Sequence, residues 1–312
     1  TQGNLFGITG GEGTGKSNYV AAIVAGCICP AGAEVDTLGV QITANGRHKA
    51  VLLYDTEQSE VQLFKNVSNL LARAKQPDKP DELKAFCLTG MSRKERLNAI
   101  VQSMDKFYYQ YGGIQLVVID GIADLVKSAN DEAESVAVID ELYRLAGIYN
   151  TCILCVLHFV PNGLKLRGHL GSELQRKAAT ILSIEKDDEP AQSVVKALKV
   201  RDGSPLDVPL MLFAWDKEAG MHVYKGEKPR EEKEKRKERE LVNVAHDIFG
   251  RQTRITYIDL CEQLQQVLDI KERTAKSYIR FMRERDIITK DTANQSCFVI
   301  GSYHLQRNAS CP

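Results

Sequence analysis

Through residue 225, short continuous apolar runs alternate with longer stretches whose apolar positions recur every three to four residues. The first kind predicts buried strands and the second amphipathic helices. NLFGIT predicts a strand and GKSNYVAAIVAG a helix. VQITANGRHKAVLLYD predicts a hairpin, two β-rich runs around Asn45-Gly46. A helix over 59–75 precedes a loop marked by Pro77 and Pro80, and AFCLT is a short strand. RKERLNAIVQSMDKFYYQ and DEAESVAVIDELYRLAGIY predict helices, each followed by a fully apolar strand, IQLVVID and TCILCVLH. ATILSIEK, SVVKALKVR and LMLFAW are late strands that follow one another without helices. Such alternation predicts an α/β domain over 1–225, a mostly parallel sheet covered by helices on both faces and antiparallel at its late end. Trp215, the single tryptophan, lies on a late strand and is expected in the core rather than as a base-stacking platform.

The pattern then changes. GEKPREEKEKRKERE has almost no apolar residues, and Glu231 to Lys235 and Glu232 to Arg236 have the favourable i,i+4 order. Residues 226–240 therefore read as a charged linker or a solvated helix. LVNVAHDIFG, YIDLCEQLQQVL and KERTAKSYIRFMRERD predict three helices, and IITKD and CFVI two strands. Three helices and a β-hairpin over 241–312 are the pattern of a winged helix.

Charge narrows the partners. The 41 basic and 41 acidic residues cancel, so any nucleic-acid surface is local. No run is long and apolar enough for a membrane span, and no secretory signal is visible. The eight cysteines have no repeating spacing. Cys152 and Cys155 sit inside an apolar strand and read as core residues, not a metal or redox pair. Many unpaired thiols fit a reducing cytoplasm. The chain opens on Thr1 rather than Met, which leaves room for residues upstream.

Residues 10–17, GGEGTGKS, match G-x-x-x-x-G-K-[ST] between a predicted strand and a predicted helix. Gly11, Glu12, Gly13, Thr14 and Gly15 supply backbone N–H groups that curve into a nest around phosphate oxygens. The helix that follows turns its positive end to the same anion. Lys16 reaches the β- and γ-phosphates, and the Ser17 hydroxyl takes part in holding Mg²⁺. The chemistry implied is ATP with Mg²⁺. The metal also needs a carboxylate, and IQLVVID ends in one, Asp120, at the carboxyl end of a parallel strand. Gly121 follows it, so a water-activating glutamate must come from elsewhere.

VLLYD ends in Asp55-Thr56-Glu57, and here the chain resembles the RecA/DnaB-type ATPases. The resemblance implies Glu57 as the general base, with Asp55 the alternative. It implies His158, at the end of TCILCVLH, as a γ-phosphate sensor. Lys199-Val200-Arg201 resembles a K-x-R segment whose lysine and arginine reach the γ-phosphate of a neighbouring subunit. The segment GHLGSELQRKAATILSIEKD is similar to the same family's region after the sensor. The resemblance spans about residues 3–225 and is nearest the RepA-like hexameric helicases and related mobile-element ATPases. It implies a RecA-like fold and a homo-oligomer, a hexamer.

It also implies that the loops after the Asp120 and His158 strands line a channel for single-stranded DNA, with Lys127, Lys165 and Arg167 as their cations. In the carboxy-terminal unit, Ala275, Tyr278, Ile279 and Met282 recur on one helical stripe while Arg273, Lys276, Arg280 and Arg283 fall opposite. That division suits a helix entering a major groove of duplex DNA; protein contact is the competing role. Three functions are thus in view: a ring-forming helicase-like motor of plasmid or mobile-element replication, an ATP-dependent DNA-binding regulator without unwinding, and a small-molecule or protein kinase. Glu57 and the trans arginine segment argue against the last.

Overall fold

The computed structural model describes residues 2–158, 168–187, 191–229, 233–250, 252–292 and 294–302. The chain divides into two compact units, Thr1–Pro229 and Arg230–Pro312.

The larger unit is built on nine strands: β1 (Asn4–Gly10), β2 (Ala50–Asp55), β3 (Leu83–Cys87), β4 (Ile114–Asp120), β5 (Cys152–His158), β6 (Thr180–Lys186), β7 (Gln192–Val200), β8 (Leu210–Asp216) and β9 (Met221–Lys228). Its helices are α1 (Lys16–Ile28), α2 (Glu60–Arg73), α3 (Arg93–Tyr111), α4 (Glu132–Ile148) and α5 (Gly168–Lys177). The strands lie in the order β3-β2-β4-β5-β1-β6-β7-β8-β9. They are parallel from β3 to β6 and antiparallel from β6 to β9. The fold is a RecA-like, mostly parallel α/β sheet.

Strand alternation sorts the core onto two faces. On β2, Leu52 and Tyr54 pack with α3, α4 and α5, whereas Val51 and Leu53 pack with α1 and α2. On β4, Val117 and Ile119 take the first face, and Leu116 and Val118 the second. Burial on both sides is why these strands are apolar without interruption.

Three sequence expectations need correction. The hairpin around Asn45-Gly46 does not form: residues 36–49 are irregular, and β2 already has β3 on one side and β4 on the other, leaving no free edge. Asn45 still closes a turn, its amide pairing with the backbone of Lys49 at 2.6 and 3.0 Å, which is the same signal a hairpin would give. Trp215 is not core; it is 55% exposed, next to the carboxyl end of β8. Finally, α5 and β9 were not expected as elements; α5 is short and β9 polar, with one half-buried or exposed residue after another.

The smaller unit holds α6 (Lys233–Phe249), β10 (Ile255–Thr256), α7 (Tyr257–Leu268), α8 (Glu272–Glu284), β11 (Ile288–Lys290) and β12 (Cys297–Ile300). The strands form an antiparallel sheet in the order β10-β12-β11. The charged stretch from Lys233 onward is the first part of α6, not a separate spacer. Ala275, Ile279 and Met282 of α8 join Leu241, Ala245, Leu260, Leu264 and Phe298 in a core of the unit's own, with Tyr278 half-buried against it.

Candidate active site

The carboxyl ends of β2, β4, β5 and β1, neighbours in that order, deliver four side chains or loops to one place. Register aligns them: Asp55 is opposite Asp120, and Gly10 opposite His158. A cleft of about 310 Å³ there is lined by Glu12, Gly13, Thr14, Gly15, Lys16, Ser17, Asn18, Glu57, Asp120, His158 and His222.

The loop before α1 is shaped for close approach. Gly15 caps α1 with φ 92°, and a Cβ there would stand 2.8 Å from the Phe213 ring. Only glycine meets both conditions. No side chain caps α1 and its first turn holds no acid, so its N–H groups are open to an anion. Lys16 is 7% exposed and its Nζ donates to the Gly10 and Gly11 carbonyls at 3.0 and 2.6 Å. Burial holds its pKa below the usual lysine value, against the opposing pull of Asp120, Glu57 and Glu12. Thr14 Oγ1 donates to the Gly11 carbonyl at 3.0 Å, while Gly11 is half-buried and Glu12, Gly13 and Ser17 face solvent.

Opposite the loop, acids gather. Burial raises the Asp120 carboxyl to about 7, helped by the charges of Asp55 and Glu57 and opposed by Lys16 and His158. Asp55 is 2% exposed, and its Oδ1 accepts from the Glu57 and Gln58 backbone N–H groups at 3.0 and 2.8 Å. It shapes the turn that presents Glu57 rather than facing the cleft. Glu57 Oε2 lies 3.4 Å from His158 Nε2. Thr56 Oγ1 locks the turn to β4 by donating to the Asp120 and Gly121 carbonyls at 3.0 and 2.8 Å. Gly121 has φ 97°, and a Cβ on it would come within 2.3 Å of Thr56 Oγ1 and 2.7 Å of Glu57 Cγ. The space beside Asp120 is filled by Glu57 from the neighbouring strand, which is why glycine follows Asp120.

Among the described residues no cluster of three His, Cys, Asp or Glu is set to hold a metal unaided. The donor set nevertheless fits Mg²⁺ arriving with a nucleotide: one desolvated carboxylate, one exposed hydroxyl and substrate oxygens are how that ion is usually held.

A family model described as an AAA domain matches residues 2–162, just over half of the chain. The chain belongs to the AAA-domain family. It is a P-loop ATPase of the RecA-like superfamily, and Lys16, Glu57, Asp120 and His158 all lie within the matched span. No curated protein matches the chain. Strands β6 to β9 and the carboxy-terminal unit of this AAA-domain ATPase lie beyond the match.

Lys199 and Arg201 do not reach the cleft of their own chain. Arg201 Nη1 donates to Asn4 Oδ1 at 3.1 Å, at the opposite end of β1 from the phosphate loop, and Nη2 to the Lys177 carbonyl at 2.9 Å. The six residue steps from Asn4 to Gly10 put about 20 Å between the two places. Lys199 Nζ donates to the Gln175 and Arg176 carbonyls at 2.7 and 3.0 Å, at the carboxyl end of α5. Lys127 is exposed after β4; Lys165 and Arg167 lie outside the described residues. On α8, Arg273, Lys276, Arg280 and Arg283 are all exposed, with Lys276 paired to Glu272 at 2.7 Å and Arg280 to Glu284 at 2.8 Å. Arg280, Arg283 and Lys290 line a groove of about 500 Å³ between α8 and β11. No described helix is long and apolar enough to cross a membrane.

Sequence reasoning missed Asn18 and His222 in the cleft. Asn18 was legible as the first turn of α1. His222 carried no signal, since a lone histidine on a polar strand is ordinary.

Proposed function

We propose that this AAA-domain ATPase hydrolyses ATP while bound to DNA, as a cytoplasmic, ring-forming, helicase-like motor in replication or mobilisation of a plasmid or mobile element. The observation that carries the reading is the meeting of Lys16, Asp120, Glu57 and His158 at the carboxyl ends of four adjacent strands.

The roles follow from the surroundings. Lys16 exchanges its bonds to the loop carbonyls for phosphate oxygens. Ser17 and Asp120 hold Mg²⁺, which draws charge from the phosphates when bound. Glu57 orients a water and takes its proton as the water oxygen bonds to the γ-phosphorus and the bond to the β,γ-bridging oxygen breaks. His158, in contact with Glu57, relays whether the γ-phosphate is present. Lys199 and Arg201 serve the γ-phosphate of a neighbouring copy, a role supported by their distance from their own cleft. Lys127 contacts single-stranded DNA without reading sequence. The carboxy-terminal unit acts as a winged helix, with Arg273, Lys276, Arg280 and Arg283 toward duplex DNA.

The experiment is mass photometry with a non-hydrolysable ATP analogue and single-stranded DNA, followed by a fork-unwinding assay. The proposal expects nucleotide-dependent rings and strand separation. Assembly and hydrolysis without unwinding would make the protein an ATP-dependent DNA-binding assembly factor. A chain that stays monomeric with both ligands would defeat both.

A further inference from the structure

The catalytic groups placed so far come from β1, α1 and the strands on one flank of β1, namely β5, β4 and β2. The other flank, β6 to β9, also reaches the cleft, through His222. It does so because the late strands fold over the start of α1. Phe213 of β8 stacks on Tyr19 with ring centroids 5.8 Å apart and fills the space beside Gly15.

His222 is held from outside its own strand. The buried Arg73 of α2 donates to the His222 carbonyl at 2.5 Å and to the Asp36 carbonyl at 2.9 Å. Asp36 Oδ2 in turn accepts from the Tyr224 N–H at 2.8 Å. The imidazole lies edge-on to Phe213 at 5.7 Å and to Trp215 at 5.5 Å. Its Nδ1 is buried with no hydrogen-bond partner. That nitrogen is closed to solvent, so the ring meets the cleft through its other atoms. Burial, with the charges of Arg73 and Lys186, lowers the His222 pKa, so the ring is neutral near pH 7 and one nitrogen is free to accept. Beside it, Trp215 is 55% exposed.

We infer that β8 and β9 form the nucleoside end of the cleft, with Trp215 as the stacking face for the base and His222 as the hydrogen-bond partner of a ribose hydroxyl or base edge. The ligand class is a nucleoside di- or triphosphate, and the inference rests on the nucleotide-site reading above. The layout across the sheet supports it. Glu57, Asp120 and His158 stand on one flank of the phosphate loop, where the terminal phosphate reacts. His222 and Trp215 stand on the other, where the rest of the molecule must go.

The sole tryptophan makes the test direct. Wild-type chain is titrated with ADP and, separately, with inorganic tripolyphosphate, following Trp215 emission and heat of binding. ADP is expected to quench the emission and tripolyphosphate to bind without doing so. Trp215→Ala is expected to weaken ADP by about tenfold, as loss of one base-stacking contact does, with tripolyphosphate affinity unchanged. Trp215→Phe restores most of the loss, and His222→Ala weakens ADP alone. Unaltered emission at saturating ADP, or equal effects of Trp215→Ala on both ligands, would overturn the inference while leaving the phosphate site standing. Wild-type chain that binds neither ligand would overturn the nucleotide reading itself, and this inference with it.

Discussion

The two ends of the large sheet differ in charge. At the carboxyl end, Lys16 is buried among an excess of acids, and burial raises the Asp120 carboxyl to about 7, with the charges of Asp55 and Glu57 adding to it. At the amino end, Lys199 and Arg201 make no ion pair among the described residues. Burial and the charge of Arg201 both lower the Lys199 pKa. Each cation is parked on carbonyls: Lys16 on Gly10 and Gly11, Lys199 on Gln175 and Arg176, Arg201 on Lys177. The difference lies in what each end lacks. One has surplus negative charge and a phosphate cradle; the other has cations with no paired anion among the described residues. A single protomer holds the two about 20 Å apart; under the function proposed here, a heterologous, head-to-tail contact between copies would bring them together.

The largest expected effect separates the ends most cleanly. Glu57→Gln should lower ATP turnover by about 10³-fold while leaving ATP binding intact, read by single-turnover hydrolysis beside a binding isotherm; normal turnover would remove Glu57 as the base. Gly121→Ala should cost about 10²-fold through displacement of Glu57, because its Cβ meets Thr56 and Glu57 and its φ is left-handed. Unchanged turnover in that variant would show that the strand-to-strand fit is incidental.

Much of the carboxyl end was legible in the sequence, for a physical reason. A phosphate cradle needs glycines at fixed spacing, and strands buried on both faces must be apolar throughout, so residues 10–17 and the ends of β2, β4 and β5 announced themselves. What was not legible depends on neighbours far away in the chain. Asn45-Gly46 makes the turn its chemistry asks for, but the sheet order denies it a partner strand. Trp215 has core chemistry yet lies exposed near the end of β8. His222 reaches the cleft from a strand far along the chain, its carbonyl held by Arg73, 149 residues away. The reason for Gly121 appeared once Thr56 and Glu57 were seen against it.

A smaller effect tests the excess of acid. The folded Asp120 pKa, about 7, is above its ordinary value of 3.8. The native state therefore holds a proton that the unfolded chain has lost between these values, and the associated stability, full below pH 3.8, is lost as pH rises through about 7. Asp120→Asn should then raise the melting temperature of the ligand-free protein by roughly 5 °C at pH 8 and by progressively less toward pH 4. A gain independent of pH would mean the carboxylates are not strained by each other. The smallest effect concerns the other unit: Arg283→Ala should reduce the salt slope of duplex DNA binding by about one and leave ATP turnover without DNA unchanged. An unchanged slope would remove Arg283 from the contact.

The shared site is tested most directly by mixing two inactive variants, Lys16→Ala and Arg201→Ala. Each alone should hydrolyse no ATP. An equal mixture should regain activity, because about one head-to-tail contact in four joins an intact Lys16 to an intact Arg201. A mixture as inactive as its components, or an Arg201→Ala protein that turns over ATP like wild type, would contradict the claim that one copy completes the site of the next.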